Sequence, residues 1–218
     1  MILLFTLLFF SVNSVNANKP SSMKFNRAEV KMYYNQEYTL KVSFSDPHLS
    51  NQEIKWFTTD KNVAQVSESG KILSGKIGEA IVIARCGGME AKCRIIVTPT
   101  SELFEVPCLD LGHNKNRVKS MEKRNFMNET DETIMYGGEN RNVKLVLYQF
   151  KNEGLMAATV AFNESDAVRD ELRYFMEERY DFMIEKDGFL FFTVPETKVI
   201  AGLGYMADVG LCITYIPR

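Results

Sequence analysis

Several groups of residues have types and spacings that could do chemistry. The stretch from Gly70 to Ile77, GKILSGKI, nearly spells a phosphate-binding loop. That loop takes Gly, any four residues, Gly, Lys and then Ser or Thr, whose hydroxyl meets Mg²⁺. Gly70, Gly75 and Lys76 fit, and Ile77 stands where the hydroxyl is needed. A working loop also follows a strand and opens a helix. Strand-like runs lie on both sides here, so the glycines read as turns, Ile72 and Ile77 point toward a core, and no nucleotide is expected. Cys108 and His113 could form a thiolate–imidazole pair. A disulfide cysteine beside an exposed histidine explains the same spacing. Glu177, Glu178, Asp181 and Glu185 cluster late in a helix. Paired carboxylates can hydrolyse glycosides, but a solvated helix face explains these four. The expectation is a chain that is not an enzyme, with no catalytic residue, cofactor or metal.

The four cysteines, Cys86, Cys93, Cys108 and Cys212, bear on compartment. An even count in an exported protein suggests disulfides, with three connectivities open. Cys86 and Cys93 flank GGMEAK, which reads as a hairpin tip. A cross-strand bond there leaves Cys108 with Cys212. Metal binding is the rival, but the spacings match no zinc pattern, and His48 and His113 lie far apart in sequence. Export is expected from the first residues. The apolar run Met1–Phe10 gives way to Val15-Asn16-Ala17, small at the −3 and −1 positions of a signal-peptidase site. Residues 1–17 therefore read as a signal peptide. Their apolar core is too short to span a bilayer, which takes about 20 residues, and no later segment is apolar enough. The destination would be periplasmic, cell-surface or extracellular.

Those residues need elements to hold them. Roughly 200 residues follow the signal, enough for one large or two small domains. Lys and Arg total 26 against 28 Asp and Glu, a net charge of −2, which offers nucleic acid no basic face. Between residues 18 and 99 short strand signals follow one another. Glu37–Phe44 alternates polar and apolar residues, Ile54–Thr58 and Val63–Val66 are short strands, and Ala80–Ala84 and Cys93–Val97 flank the Gly87-Gly88 turn. Strands and turns at this density indicate a β-sandwich, with Trp56, Val63, Val66, Ile81 and Ile83 inside.

The motifs IKWFTTD (54–60), VAQV (63–66), SGKI (69–72), GEAIVIA (78–84) and CRIIV (93–97) stand in order. Over residues 24–98 they resemble the bacterial immunoglobulin-like domain of group 2, the type in intimin- and invasin-like surface proteins. The resemblance implies a small Greek-key sandwich that acts as a spacer or adhesion module and carries no catalytic residues.

After a short linker, Thr98-Pro99-Thr100-Ser101, residues 103–218 read as α+β. Asn114 caps a short helix. Three strands follow, at 133–136, 143–150 and 155–162. A second helix, from Ser165 to about Asp181, carries Val168, Leu172, Phe175 and Met176 on one stripe. Three more strands follow at 189–194, 198–203 and 209–216. Tandem αβββ units, packed sheet to sheet with helices on one face, would make an α+β domain. Their order, with Gly112, Val118, Tyr148, Phe150, Gly154 and Leu155, is similar to that of β-lactamase-inhibitor-protein-like folds and a small outer-membrane lipoprotein family. The pairing with an immunoglobulin-like domain resembles secreted proteins of gut Bacteroidetes. These likenesses imply protein binding rather than chemistry.

The aromatic residues carry the functional expectation. Phe189-Leu-Phe-Phe192 cannot bury every ring on one sheet face. Tyr174, Tyr180, Phe189, Phe191 and Phe192 are the candidate binding surface. The expected function is a secreted or cell-surface adhesion protein whose immunoglobulin-like domain presents a module that binds protein or glycan. The alternative is a secreted hydrolase or enzyme inhibitor with its site in the second part. A cleft of convergent acids or a Cys108 free of any disulfide would favour an enzyme. A flat or concave aromatic sheet face would favour binding.

Overall fold

The computed structural model describes residues 21–218. The expected signal, residues 1–17, lies outside them, as does the start of the domain expected from residue 18. From Met23 to Val97 the chain is a β-sandwich. One sheet has the order β2 (Glu29–Met32), β9 (Met89–Val97), β8 (Gly78–Cys86), β5 (Lys55–Thr58), with β2 parallel to β9. Facing it are β3 (Glu37–Thr39), β7 (Lys71–Ser74) and β6 (Ala64–Val66), together with the pair β1 (Met23–Phe25) and β4 (Val42–Phe44). Ile72, Val82, Cys93 and Ile95 are fully enclosed between the sheets. Trp56 stacks on Phe25, with ring centroids 5.5 Å apart, but keeps part of its surface open.

The phase of β8 corrects an expectation. Ala80, Val82, Ala84 and Cys86 point inward, whereas Ile81 is 40% exposed and Ile83 is half-buried. Both phases of this strand are apolar, so hydrophobicity does not choose between them. Glu79 and Arg85 share the phase of Ile81 and Ile83 and hold it outside, because a side-chain period of two moves the whole set together.

Residues 103–217 form a second body with its own core. Helix α1 (Lys115–Met121) is capped by Asn114, whose side chain accepts from Arg117 N at 3.1 Å. It precedes β10 (Phe126–Glu129), β11 (Thr133–Gly137), β12 (Val143–Lys151) and β13 (Gly154–Phe162). Helix α2 (Asp166–Arg179), capped by Ser165, precedes β14 (Asp181–Lys186), β15 (Phe189–Thr193), β16 (Val199–Met206) and β17 (Gly210–Pro217). Each expected αβββ unit is therefore αββββ. The units also join edge to edge rather than sheet to sheet: β13 pairs with β17 to give one antiparallel sheet of eight strands, β10-β11-β12-β13-β17-β16-β15-β14. The strands absent from the sequence reading are its two edges. An edge strand has little to bury, so its apolar pattern is weak. Every residue of β14 is exposed, and Phe182 and Ile184 are flanked by Asp181, Glu185 and Lys186, which blunt the edge.

The two bodies meet at a polar joint that absorbs the GKILSGKI stretch. Gly70 is left-handed (φ +79°), and a Cβ there would lie 2.6 Å from the Trp56 ring. It opens strand β7, not a helix. Lys76 reaches across to the C-terminus of α2, where Nζ donates to the carbonyls of Glu177 (2.7 Å) and Tyr180 (2.5 Å). A cation there meets the negative end of the helix dipole. Ile77 is half-buried at this junction rather than in the sandwich core, and its N–H donates to Glu178 O at 2.9 Å. Glu178, expected on a solvated face, is fully buried. Its carboxylate accepts from Thr100 N (2.7 Å) and Ser101 N (3.2 Å), beside the Arg179 guanidinium. The expected linker is thus bound to the helix end.

Candidate functional site

The large sheet has one face under helices α1 and α2 and a second, the open face, that neither helix covers. Val146, Tyr148 and Phe150 of β12, Ala158, Val160 and Phe162 of β13, and Leu211, Ile213 and Tyr215 of β17 share a core with Val118 of α1 and with Val168, Leu172, Phe175 and Met176 of α2. Because side chains alternate along a strand, the intervening residues point to the other side. Neither helix lies on that side, yet Ala157, Thr159, Ala161 and Cys212 there are 0–3% exposed.

An antiparallel sheet with one solvated face ordinarily alternates apolar with polar residues. Here it does not. Strands β13, β15, β16 and β17 contain no Asp, Glu, Lys or Arg. The floor of the open face is small: Ala157, Thr159 and Ala161 on β13, Gly202 and Gly204 on β16, and Cys212 on β17. Larger half-buried side chains stand on either side, with Leu145 and Leu147 on β12, and Ile200, Phe189 and Phe191 beyond.

Phe189 and Phe191 lie over the glycines. A Cβ at Gly204 would come within 2.6 Å of the Phe189 ring, and one at Gly202 within 3.0 Å of Phe191. The two rings stack at 6.0 Å and 26°. The hydroxyls of the floor are spent on each other, with Thr159 Oγ1 and Thr214 Oγ1 3.0 Å apart. The result is a dry apolar slab without a charge at its centre.

The five aromatic residues expected to form one surface are divided by the structure. Phe189 and Phe191 belong to the open face. Phe192 (2% exposed) and Tyr180 (6%) are in the core on the helix side, Tyr180 with its hydroxyl 3.3 Å from that of Tyr215. Tyr174 is 53% exposed, but on the outer side of α2. The sequence reading missed Ile200, Leu145, Leu147 and the small floor. The signal for them was present in the charge-free runs GLMAATVAF, VIAGLGYM and GLCITYIP.

The residues that suggested chemistry are placed differently. All four cysteines are free and buried, which corrects the expected disulfides. On the β8–β9 ladder Cys86 faces Met89 and Cys93 faces Val82. The two sulfurs therefore sit about four residues apart along the strand, roughly 13 Å, beyond the reach of a disulfide. Cys212 lies on the open face and Cys108 in the core of the helix side. Although Cys108 is free, burial raises its thiol pKa, and its Sγ lies 3.8 Å from Met121 Sδ. His113 is exposed, and no hydrogen bond joins it to Cys108 among the described residues.

The densest set of ionisable groups is closed on itself. The Arg124 guanidinium bridges Glu122 (2.9 Å) and Glu139 (2.7 Å) and donates to Glu105 O. Tyr148 Oη donates to Glu122 at 2.5 Å and accepts from Cys108 N at 3.0 Å. Burial pushes the Glu122 carboxyl pKa up, and the Tyr148 hydroxyl and Arg124 more than reverse this, so the net shift is downward. These contacts tie residues 105–108 to β12 and the end of α1.

No family model matches the chain, and no curated protein does. Among solved structures it is similar to domains 5-6 of the S-layer protein SbsC (13% identity, 92% of this chain and 84% of that one, TM-score 0.31). It is also similar to an intimin mutant of EHEC O157:H7 (9% identity, 84% and 86%, TM-score 0.27). A third is a GH10 xylanase from termite gut that contains a bacterial Ig-like domain (18% identity, 42% of this chain, TM-score 0.29); this chain spans 23% of its length. Such scores are too low to establish a shared overall fold. No helix among the described residues is long and apolar enough to cross a membrane.

Proposed function

We propose that this is an exported, cell-surface binding protein without catalytic activity, in which an immunoglobulin-like domain (18–99) presents an α+β domain (103–218) whose open sheet face docks a protein. The observation that carries this is the charge-free run of strands β13, β17, β16 and β15, with an apolar face on the side away from both helices. Half-buried Leu145, Leu147, Phe189, Phe191 and Ile200 stand around a buried floor of small residues, and an apolar patch of that kind supports an interface. Glycan binding would need free hydrogen-bonding groups for sugar hydroxyls, and Thr159 and Thr214 at the centre bond each other instead. A protein partner with an apolar patch fits better. Against an enzyme stand the raised pKa of Cys108 and the engagement of Arg124, Glu122 and Glu139 with one another.

A photo-crosslinking amino acid at Leu147 or Ile200, in the cells that make the protein, tests the reading. The same protein adduct is expected from both positions, with none from Tyr174 on the outer side of α2. Equal labelling from all three, or none from 147 and 200, would sink it.

A further inference from the structure

A vacant strand edge lies on the sandwich, and its evidence is the hydrogen bonding of β4. Asn26 N donates to Lys41 O (3.0 Å), and Ser45 N donates to Ser22 O (2.9 Å). Lys41, Ser43 and Ser45 therefore occupy the hydrogen-bonded positions opposite β1. Val42 and Phe44 take the alternate positions, with their N–H and C=O groups directed away from β1. Leu40 shares that direction, and its N–H is used by Gly70 O at 3.0 Å. Past Leu40 the neighbour runs out, because the chain turns at Ser67–Gly70 before β7 begins. Among the described residues the N–H and C=O groups of Val42 and Phe44 have no partner.

Beside this edge lies a cleft of about 1110 Å³, large against the roughly 300–1,000 Å³ of common ligand sites. Leu40, Val42, Phe44, Ile54, Trp56 and Val66 form its apolar side, and Ser43, Ser50, Gln52, Ser67 and Ser69 add a polar one. The core beneath is thin: around Met23, Ala84, Cys86 and Ala91, the side chains of Val42, Phe44, Ile54 and Trp56 are only partly covered. One sheet of the sandwich thus lacks a strand at this end, both in its ladder and in its core.

We propose that the cleft receives an extended segment of another polypeptide, added as a strand beside β4. Donors and acceptors repeating every second residue, about 6.8 Å apart along a strand, match the backbone of another strand, which a lipid chain or a glycan does not reproduce. The inward side chains of the segment would meet Trp56 and Ile54, so they are apolar at alternate positions. Lys41 and Lys55 balance Glu53 and Glu68 around the cleft, so the segment needs no net charge. This is strand addition, in which main-chain bonds supply affinity and alternate pockets supply selectivity.

The test uses the whole protein and a panel of synthetic seven-residue peptides of the Thr-Val-Thr-Phe-Thr-Val-Thr type. Amide exchange is followed residue by residue, and Trp56, the only tryptophan, reports on the cleft by fluorescence. At about 1 mM peptide, exchange at Val42 and Phe44 slows by at least about tenfold, Ser43 is unchanged, and Trp56 emission shifts to the blue. Peptides N-methylated at alternate residues do not bind. Val42→Pro removes an N–H from the vacant edge, a place where proline is tolerated, so the variant still folds, at some loss of packing against the core around Met23 and Ala84, and loses the peptide. The proposal is overturned by three results: unprotected Val42 and Phe44 amides with every peptide, equal binding of the N-methylated peptides, or undiminished binding by a folded Val42→Pro protein.

Discussion

The paired strands β8 and β9 of the sandwich and the central strands of the large sheet both turn one face outward, and they dress it in opposite ways. On β8 and β9 the outward positions include Glu79, Arg85, Glu90, Lys92 and Arg94, and these pair across the ladder, Arg85 with Glu90 at 2.7 Å and Arg94 with Glu79 at 2.5 Å. On the large sheet the same positions hold Ala157, Thr159, Ala161, Gly202, Gly204 and Cys212. Exposed ion pairs add little stability, about 0–1 kcal/mol each. Their value lies in keeping a sheet face wet and unattractive to other protein surfaces. The sandwich face is finished in that sense. Strands β13, β15, β16 and β17 of the large sheet have no charged residue with which to form such pairs.

The contrast can be broken hardest at the joint. Glu178→Ala leaves the N–H groups of Thr100 and Ser101 without an acceptor and strips Arg179 of its carboxylate partner. A loss of about 3 kcal/mol is expected, with Trp56 fluorescence and the tyrosine signals of the large sheet no longer melting together in urea. A loss below about 0.5 kcal/mol would mean that the joint is incidental. Next in size is the phase of β8. Val82→Ala should cost about 2 kcal/mol, and Ile81→Ala under about 0.5 kcal/mol; equal costs would contradict the inward and outward assignment. On the open face, Gly204→Ala drives a methyl group into the Phe189 ring and should cost about 1 kcal/mol, with shifts in the Phe189 and Phe191 ring resonances. No change in those resonances would mean that the rings do not lie on the glycines.

An effect confined to high pH separates the free-thiol structure from a disulfide one. Burial, with the nearby Glu29 charge, pushes the Cys93 thiol up to about 11. The unfolded thiol releases its proton at lower pH than the folded one. Above the ordinary thiol range the folded state therefore binds more protons, and stability falls as pH rises toward 11. Cys93→Ala should flatten that part of the pH–stability curve. An unchanged slope would show that Cys93 does not contribute, and resistance of all four cysteines to alkylation in denaturant would restore the disulfides.

Much of this architecture could be read from the residues. The caps at Asn114 and Ser165, the α2 stripe of Val168, Leu172, Phe175 and Met176, and the strand-and-turn rhythm before Val97 are local patterns, and the structure repeats them. What escaped was set by partners distant in sequence. Phe126–Glu129 and Asp181–Lys186 are strands because a neighbouring strand pairs with them, not because they bury a face. Cys86 and Cys93 fail to meet because the hairpin register places Met89 and Val82 opposite them. Glu178 reads as one more acid on a helix. Only the fold brings it to Thr100, 78 residues away. The open face was half legible: the Phe189–Phe192 aromatics drew attention, while the small, charge-free strands beside them passed as core.

The joint has a mechanical consequence. A tether held at a single point lets whatever it carries swivel. Here Lys76 and Ile77 grip the end of α2 while Thr100 and Ser101 hold the carboxylate of Glu178. Two attachments from different parts of the chain resist twist as well as pull. The large sheet would then keep one bearing toward the sandwich, so that a load on it strains the joint in shear instead of turning freely about it.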